Sequence, residues 1–316
     1  MHYGHLSGFF HAAYVIIPVM DTTNENRVSI RDALEYASDE LREEGIESPM
    51  LEARILLSEA MGVDQIYLIT HDRESLGDDA AARFNSFMTQ RLARRPVAYI
   101  TGKKEFYKRT FRVRDGVLIP RPETEGAVEC AVEYADRYAG NVRVLDLCCG
   151  SGAIGLSVAL EVPRSYVTLS DISETAVAQT VENASLLGAE NCEIIRTDLF
   201  EDMEPGSFDI IISNPPYVTG DEMDTLSQDI QLWEPREALY GGVDGLSFYR
   251  HIIAEAPVMF RNRGTLILEI GALQGDDVRT LLEKAGYEDI TVRKDLSGLD
   301  RIVCAQHSGS GGMEVL

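Results

Sequence analysis

Cysteine is scarce in this chain and does not pair. There are five in 316 residues, at positions 130, 148, 149, 192 and 304, and no C-x-x-C occurs. An odd number without that spacing argues against a disulfide framework and against the common zinc sites. The six histidines are scattered, and none stands at ligand spacing from a cysteine. The expectation is a reduced, cytoplasmic protein without metal. No apolar run approaches the length of a membrane span. The nearest thing to a targeting segment, Phe9–Met20, lacks a basic n-region and contains His11 and Pro18. It reads instead as part of a mobile extension over residues 1–27, or as the product of a misplaced start codon. Basic charge is short too: 29 Lys and Arg stand against 52 Asp and Glu, a net charge of −23. Such a chain repels bulk nucleic acid, whose affinity comes chiefly from phosphate neutralisation, so no stable nucleic-acid binding is expected. Two segments do gather basic residues, Gln90–Pro96 and Gly102–Arg114. They are either solvated loops or a docking face for an acidic or RNA-bound partner.

What is present is enough for two domains, with 45% apolar residues to build cores. Residues 28–95 read as a helical bundle. Ser29 precedes Ile30, Ala33, Leu34, Ala37 and Leu41 at helical spacing, with Asp32 at the acidic position of a capping box. Ser48-Pro49 reads as an N-cap followed by proline at the first helical position. A third run, near Asp79–Leu92, sets Ala81, Phe84, Met88 and Leu92 on one face. Residues 96–120 alternate and are rich in aromatic and β-branched residues, which predicts a β-hairpin linker with Arg114-Asp115-Gly116 as a turn. From there to about residue 306 strands and helices alternate. Apolar strands are expected at Arg143–Leu147, Tyr166–Ser170, Glu193–Arg196, Phe208–Ser213 and Thr265–Ile270, with helices such as Glu174–Leu187 and Val278–Ala285 between several of them. This is the pattern of an α/β, doubly wound parallel sheet. Two weaker strands, near Ile290–Arg293 and Arg301–Ala305, read as a terminal hairpin that makes the last strand antiparallel. Residues 307–316, ending in "SGSGGMEVL", read as a flexible tail. There is no internal repeat.

The first strand runs into "VLDLCCGSGAIGL", where Gly150, Gly152 and Gly155 formally satisfy G-x-G-x-x-G. That motif alone is weak, since any α/β domain uses glycine where a strand meets a helix. In a dinucleotide fingerprint the strand leads almost directly into the first glycine, so that pyrophosphate rests on the helix N-terminus. Here Asp146 ends the strand, and Leu147, Cys148 and Cys149 intervene. A carboxylate there repels pyrophosphate but suits a ligand bearing an ammonium and a sulfonium, such as S-adenosylmethionine. Asp171 ends the second strand and is placed to accept hydrogen bonds from ribose hydroxyls; Asp198 and Leu199 end the third, as a partner for an adenine amino group and an apolar cover for its ring. Each acid has a plainer reading as a helix N-cap, but three at the carboxyl ends of successive strands point to a ligand.

The fourth strand, Phe208–Ser213, delivers Asn214-Pro215-Pro216-Tyr217 to the same edge. Proline fixes φ, has no N–H, and pushes the preceding residue toward extended geometry, so this corner is stiff. An asparagine carboxamide oxygen and a proline carbonyl together accept the two hydrogens of one planar NH₂ group, and an aromatic ring stacks on it. Asn214, Pro215 and Tyr217 are thus candidate catalytic residues, and Asn214–Tyr217 the acceptor site, in a reaction driven by positioning and needing no strong base.

These segments, with "RRPVAYITGKKEFY", "LIPRPETE" (Leu118–Glu125) and "WEPREALYGGVDGLSFYRHI", resemble the HemK/PrmC family, the protein-(glutamine) methyltransferases of peptide chain release factors. The resemblance spans about residues 28–306. It implies a class I S-adenosylmethionine-dependent methyltransferase: a seven-stranded Rossmann-like sheet behind a small N-terminal helical bundle and a β-hairpin, acting as a monomer. It implies a release factor as partner, the glutamine of its Gly-Gly-Gln tripeptide as acceptor, and recognition of that partner by residues 28–95. By position, Cys148, Cys149, Gly150, Ser151 and Gly152 wrap the methionine part of the cofactor, Asp171 holds the ribose, Leu199 lies near the adenine, and Asn214–Tyr217 grip the amide. The family usually has glycine where Cys148 stands, and the Leu199 position varies. Two rival readings use the same Asn-Pro-Pro-aromatic corner, a glutamine methyltransferase of a ribosomal protein and an amino-methyltransferase of adenine or guanine. A scaffold without catalysis is a further alternative, as is a nicotinamide-dependent oxidoreductase, against which Asp146 speaks.

Overall fold

The computed structural model describes residues 28–308. The extension with Phe9–Met20, and the tail from residue 309, lie outside the described residues. The described chain divides into two compact units between Thr101 and Gly102.

The N-terminal unit is helical: α1 (Ile30–Glu43), α2 (Pro49–Met61), α3 (Gln65–Thr70), α4 (Asp78–Leu92) and α5 (Val97–Thr101). The apolar stripe of α1 is buried as its spacing requires, with Ile30, Ala33, Ala37 and Leu41 fully covered. Ser29 caps α1 by accepting from the Asp32 N–H at 3.2 Å. Ser48 does not cap α2: its side chain makes no such bond, and Pro49 alone marks the start. In α4, Phe84 and Met88 reach the core while Ala81 and Leu92 are half-buried at its margin. Between α2 and α4 the core is crossed by a charge pair. Arg91 Nε donates to Glu52 Oε2 at 2.6 Å, and the Arg91 side chain is 4% exposed.

In the C-terminal unit, β1 (Lys103–Phe106) and β2 (Arg109–Arg112) form an antiparallel hairpin. The sequence placed its turn at Arg114–Gly116. The structure places it at Tyr107-Lys108, both with positive φ (44° and 63°). That primed geometry matches the strands' own twist, although neither residue is the usual glycine or asparagine. The Tyr107 N–H is anchored on Glu125 Oε1 at 2.8 Å. Arg114–Val117 is a separate turn downstream, and residues 97–101 are helical rather than extended.

A 3₁₀ turn (Pro122–Thr124) leads into α6 (Glu125–Ala135), followed by β3 (Val142–Leu147), α7 (Ala153–Glu161), β4 (Ser165–Asp171), α8 (Glu174–Leu187), β5 (Cys192–Arg196) and β6 (Phe208–Ser213). Short helices α9 (Gly220–Met223) and α10 (Gln228–Trp233) and a 3₁₀ turn (Arg236–Ala238) precede α11 (Ser247–Met259), β7 (Phe260–Glu269), α12 (Gly275–Lys284), β8 (Glu288–Lys294) and β9 (Asp300–His307). The strands form one seven-stranded sheet in the order β5-β4-β3-β6-β7-β9-β8. β3 to β7 pair in parallel; β9 is antiparallel to both β7 and β8, as the terminal hairpin required. Central strands bury both faces, so they read as continuous apolar runs. Val144, Ile210, Ile212 and Ile267 face one core, with α6, α7 and α8; Leu145, Leu147, Ile211 and Leu268 face the other, with α11 and α12.

Replacing Glu52 with alanine leaves the buried Arg91 without its carboxylate. We expect Glu52→Ala to destabilise the N-terminal unit by about 3 kcal/mol, and Glu52→Gln by less. Denaturant unfolding of the full chain checks this; an unchanged transition would make the pair a bystander.

Candidate active site

Parallel strands end together, so the residues just past β3, β4 and β6 meet at one edge of the sheet. There lies a cavity of about 390 Å³. The Cys148–Ser151 turn, Asp171 and Asn214 with Pro216 line it, one group from each strand end. Leu118, Ile154, Ile172, Ala238 and Phe248 make its walls largely apolar.

The β3 turn is held in shape from below. Asp146 lies one residue inside the strand and is fully buried. Its Oδ2 accepts the Gly155 N–H at 2.8 Å, tying strand to helix, while Oδ1 has no partner. Burial pushes this carboxyl up to about 7, against the Gly155 bond and with nearby Asp171 adding to the rise. Gly155 must be glycine, because a Cβ would stand 2.6 Å from Leu169 Cδ2 and 2.8 Å from Asp146 Oδ2. Cys148, where the resembled family has glycine, takes the left-handed φ of 59° that glycine adopts freely. The demand for a different backbone angle is therefore met by the side-chain-bearing residue itself. Its thiol is pushed up to about 12 by burial and by Asp171, so it is a poor nucleophile.

Asp171 closes the turn. Its Oδ2 accepts from Gly150 N and its Oδ1 from Ser173 N, both at 2.9 Å. Each oxygen retains a lone pair, but the carboxylate is a brace for the glycine turn as well as an acceptor facing the cavity. Burial raises its pKa while those N–H groups oppose the rise.

Asn214–Tyr217 leaves β6 without regular secondary structure. Among the described residues no donor reaches the Pro215 carbonyl. The corner is fixed on every side. Ser213 Oγ donates to Leu147 O at 2.9 Å, and Val218 bridges to Tyr240. Gln274 Nε2 donates to Tyr217 O at 3.1 Å. Gly241 lies so close that a Cβ would be 2.6 Å from Pro216 O. Pro215 and Tyr217 flank the lining rather than form it. The Tyr217 ring packs into the cores on either side, and its hydroxyl donates to Glu269 Oε1 at 3.4 Å. Burial pushes the Tyr217 phenol up, with Glu269 adding to it.

Asp198 and Leu199 are not in this cavity. They line a second one of about 330 Å³ with Ser247, His251 and Phe248, and Phe248 borders both. Asp198 is exposed and starts no helix; Leu199 is half-buried at a φ of 46°.

Several lining residues carried no chemical assignment in the sequence: Arg121 and Thr124 of "PRPETE", and Pro235, Glu237 and Ala238 of "WEPREAL". The two motifs are clipped together where Arg121 Nη2 donates to the buried Glu234 carboxylate, whose other oxygen takes the Ile119 N–H at 3.4 Å. Their distance along the chain hid this pairing. The basic segments are largely spent on internal partners: Arg91 on Glu52, Arg94 on Glu44 O, Arg109 on Glu161 and Arg114 on Glu182. Among the described residues no helix is long and apolar enough to cross a membrane, and no group of three or more His, Cys, Asp and Glu is placed to hold a metal ion.

The cavity fits the cofactor that the acids implied. A Cβ at Gly150 would meet open space, so the bare turn leaves room for a ligand, and a buried carboxylate oxygen without a partner lies beneath. The seven-stranded sheet, with a match of residues 134–237 to a model of the methyltransferase small domain, puts the chain among the S-adenosylmethionine-dependent methyltransferases. A model of the PrmC N-terminal domain matches residues 32–102. The chain belongs to the release factor glutamine methyltransferase family. It is 43% identical to a protein of that name from Cereibacter sphaeroides, over 87% of this chain and 97% of the relative. The counterpart from Clostridium acetobutylicum is 39% identical over 89% of this chain and its own full length. A solved release factor-specific protein-(glutamine-N5) methyltransferase from Alicyclobacillus acidocaldarius shares 30% identity, covering 60% of this chain and 94% of its own, with a TM-score of 0.38.

The raised Asp146 pKa has a stability consequence. Between the ordinary carboxylate range and about 7 the unfolded state ionises first, so this residue costs stability increasingly as pH rises through that window. Asp146→Asn keeps an acceptor for Gly155 without the charge. Its Tm is expected to exceed that of the parent by several degrees at pH 8 and to converge with it at pH 4. Thermal unfolding at the two pH values checks this; an equal offset at both refutes it.

Proposed function

We propose that this enzyme transfers the methyl group of S-adenosylmethionine to the side-chain amide nitrogen of the glutamine in the Gly-Gly-Gln motif of peptide chain release factors. The observation that carries the reading is that Asn214 and Pro216 line the same cavity as Gly150 and Asp171. In this reading the Cys148–Gly152 turn, above Asp146, holds the methionine part of the cofactor, Asp171 the ribose, and the neighbouring cavity of Asp198 and Leu199, which shares Phe248, the adenine end. Bound there, the cofactor supplies an electrophilic methyl carbon on a cationic sulfur.

A carboxamide nitrogen is a weak nucleophile because its lone pair is delocalised. Asn214 Oδ1 and the Pro215 carbonyl accept its two hydrogens and fix it in one orientation. The braces on this corner mean little reorganisation is needed when the acceptor arrives. The apolar walls exclude water, which strengthens those hydrogen bonds.

Asn214→Ala should lower kcat by about 10²–10³ while calorimetry finds cofactor affinity near normal. Asn214→Asp should impair kcat with affinity equal or improved, since a carboxylate near the sulfonium favours the charged reactant. Methylation is read by mass spectrometry on release factor, with ribosomal protein and RNA as competing acceptors. Full methylation of release-factor glutamine by Asn214→Ala would sink the mechanism; preference for another acceptor would sink the substrate assignment.

We assign partner recognition to the helical unit, residues 28–95. It carries no cluster of catalytic residue types, and Ile66 and Ile69 of α3 stand 69% and 61% exposed. Such exposed apolar side chains suit a protein surface. Replacing both with serine should raise KM for whole release factor several-fold and leave turnover of a short Gly-Gly-Gln peptide unchanged. Equal KM values for the whole factor would remove these residues from recognition.

A further inference from the structure

The glycine turn that Asp171 braces is held from a second side by α8. Thr180 and Asn183 stand three residues apart on the inner face of that helix, and both are fully buried. Thr180 Oγ1 donates to Gly150 O at 2.9 Å. Its methyl group packs on the same turn, since a Cβ added at Gly152 would stand 2.8 Å from Thr180 Cγ2. Asn183 Nδ2 donates to Ser151 O, the next carbonyl along, at 2.8 Å. The same side chain also reaches the hairpin. Its Oδ1 accepts the Arg112 N–H at 2.8 Å, and Nδ2 donates to Arg112 O at 3.0 Å. Asn183 thus meets β2 as a neighbouring strand would, with one donor and one acceptor, and fastens the turn to it.

The partners leave the direction of these bonds no freedom. A carbonyl only accepts and a backbone N–H only donates, so the Thr180 proton and both hydrogens of the Asn183 NH₂ are committed. Each side chain holds one carbonyl of the turn on the α8 side. In a planar trans peptide the following N–H points the opposite way. The Ser151 N–H, opposite the Gly150 carbonyl, therefore points away from α8. It has no partner among the described residues, and Ser151 lines the cavity. The Gly152 N–H, by contrast, is closed on Cys149 O at 2.8 Å. The turn thus keeps one donor for a ligand, and a flip of the Gly150–Ser151 peptide would put an oxygen in its place.

We propose that Thr180 and Asn183 are positioning residues for the cofactor: they fix two peptide units of the glycine turn in the orientation that receives the methionine part of S-adenosylmethionine. This rests on the reading of that turn as the methionine subsite. Neither side chain lines the cavity, so both act through the backbone of Gly150 and Ser151.

The test is calorimetry on the full chain, below its Tm, with two probes, S-adenosylhomocysteine and methylthioadenosine. The second keeps the adenine, ribose and sulfur of the first but lacks its amino and carboxyl groups. Thr180→Val is nearly isosteric, keeps the methyl contact and lacks the hydroxyl; Thr180→Ser keeps the hydroxyl. Asn183→Ala removes the bonds to the turn and to the hairpin, and Asn183→Ser replaces it should that variant not fold. We expect S-adenosylhomocysteine to bind about fivefold or more weakly to Thr180→Val and about tenfold or more weakly to Asn183→Ala, with Thr180→Ser within about twofold of the parent. The Kd for methylthioadenosine should move by less than about twofold in every variant, because the group that the turn receives is missing from that probe. Unchanged affinity for S-adenosylhomocysteine in Thr180→Val and Asn183→Ala would make the bonds structural only and would overturn the proposal. An equal fold-loss for both probes would also overturn it, since the defect would then lie in the whole domain. If the parent chain binds the two probes equally tightly, the turn is not the methionine subsite, and that failure of the underlying reading is distinct from either.

Discussion

The catalytic unit depends on where β6 is made to stop. Prolines at 215 and 216 offer no N–H, so neither a helix nor a sheet ladder absorbs this backbone. The strand ends at Ser213, level with the end of β3, because Ser213 pairs with Leu147 and bonds to its carbonyl. Asn214 thereby enters the space above the glycine turn and not the sheet. The close glycines at 241 and 245, the Gln274 amide and the Val218–Tyr240 bridge make one conformation of the corner the affordable one.

Electrostatics gives the same edge a consistent sign. Asp146, Asp171 and Glu269 are acids that burial drives toward the neutral form. Asp146 and Glu269 each keep one buried oxygen without a partner. Groups of this kind cost stability and are kept where they orient or attract something. The unit concentrates them behind the strand ends, and Arg121, a cation at the cavity wall, is paired with Glu234 and joins two loops.

Much of the sheet was legible because its signals are local and strong. β6 and α8 fall on the residues expected, Phe208–Ser213 and Glu174–Leu187, and the two-faced burial of the central strands explains their uninterrupted apolar runs. The hairpin turn was not legible, since Tyr107-Lys108 takes positive φ only with support from Glu125, a residue remote in sequence. Helices as short as α3 and α5 are decided by tertiary packing more than by periodicity. At the site, three strand-end groups were readable as such, but Asp198 and Leu199 border a neighbouring cavity, and Asp171 has bracing duties that no spacing reveals. The contact between Asn214 and Thr124 joins residues 90 positions apart in the chain, which a single sequence does not display.

The terminal hairpin sets an order on synthesis. β8 is made before β9, yet β9 is the strand that lies against β7, and β8 reaches the sheet only by pairing with β9. While the chain is still emerging, the β7 edge is therefore an open ladder with an apolar stretch at Leu266–Leu268, the kind of surface that seeks any extended partner. The sheet cannot be completed in passing. It stays exposed through translation of α12 and β8, until residues as far as His307 are free to slide into the gap.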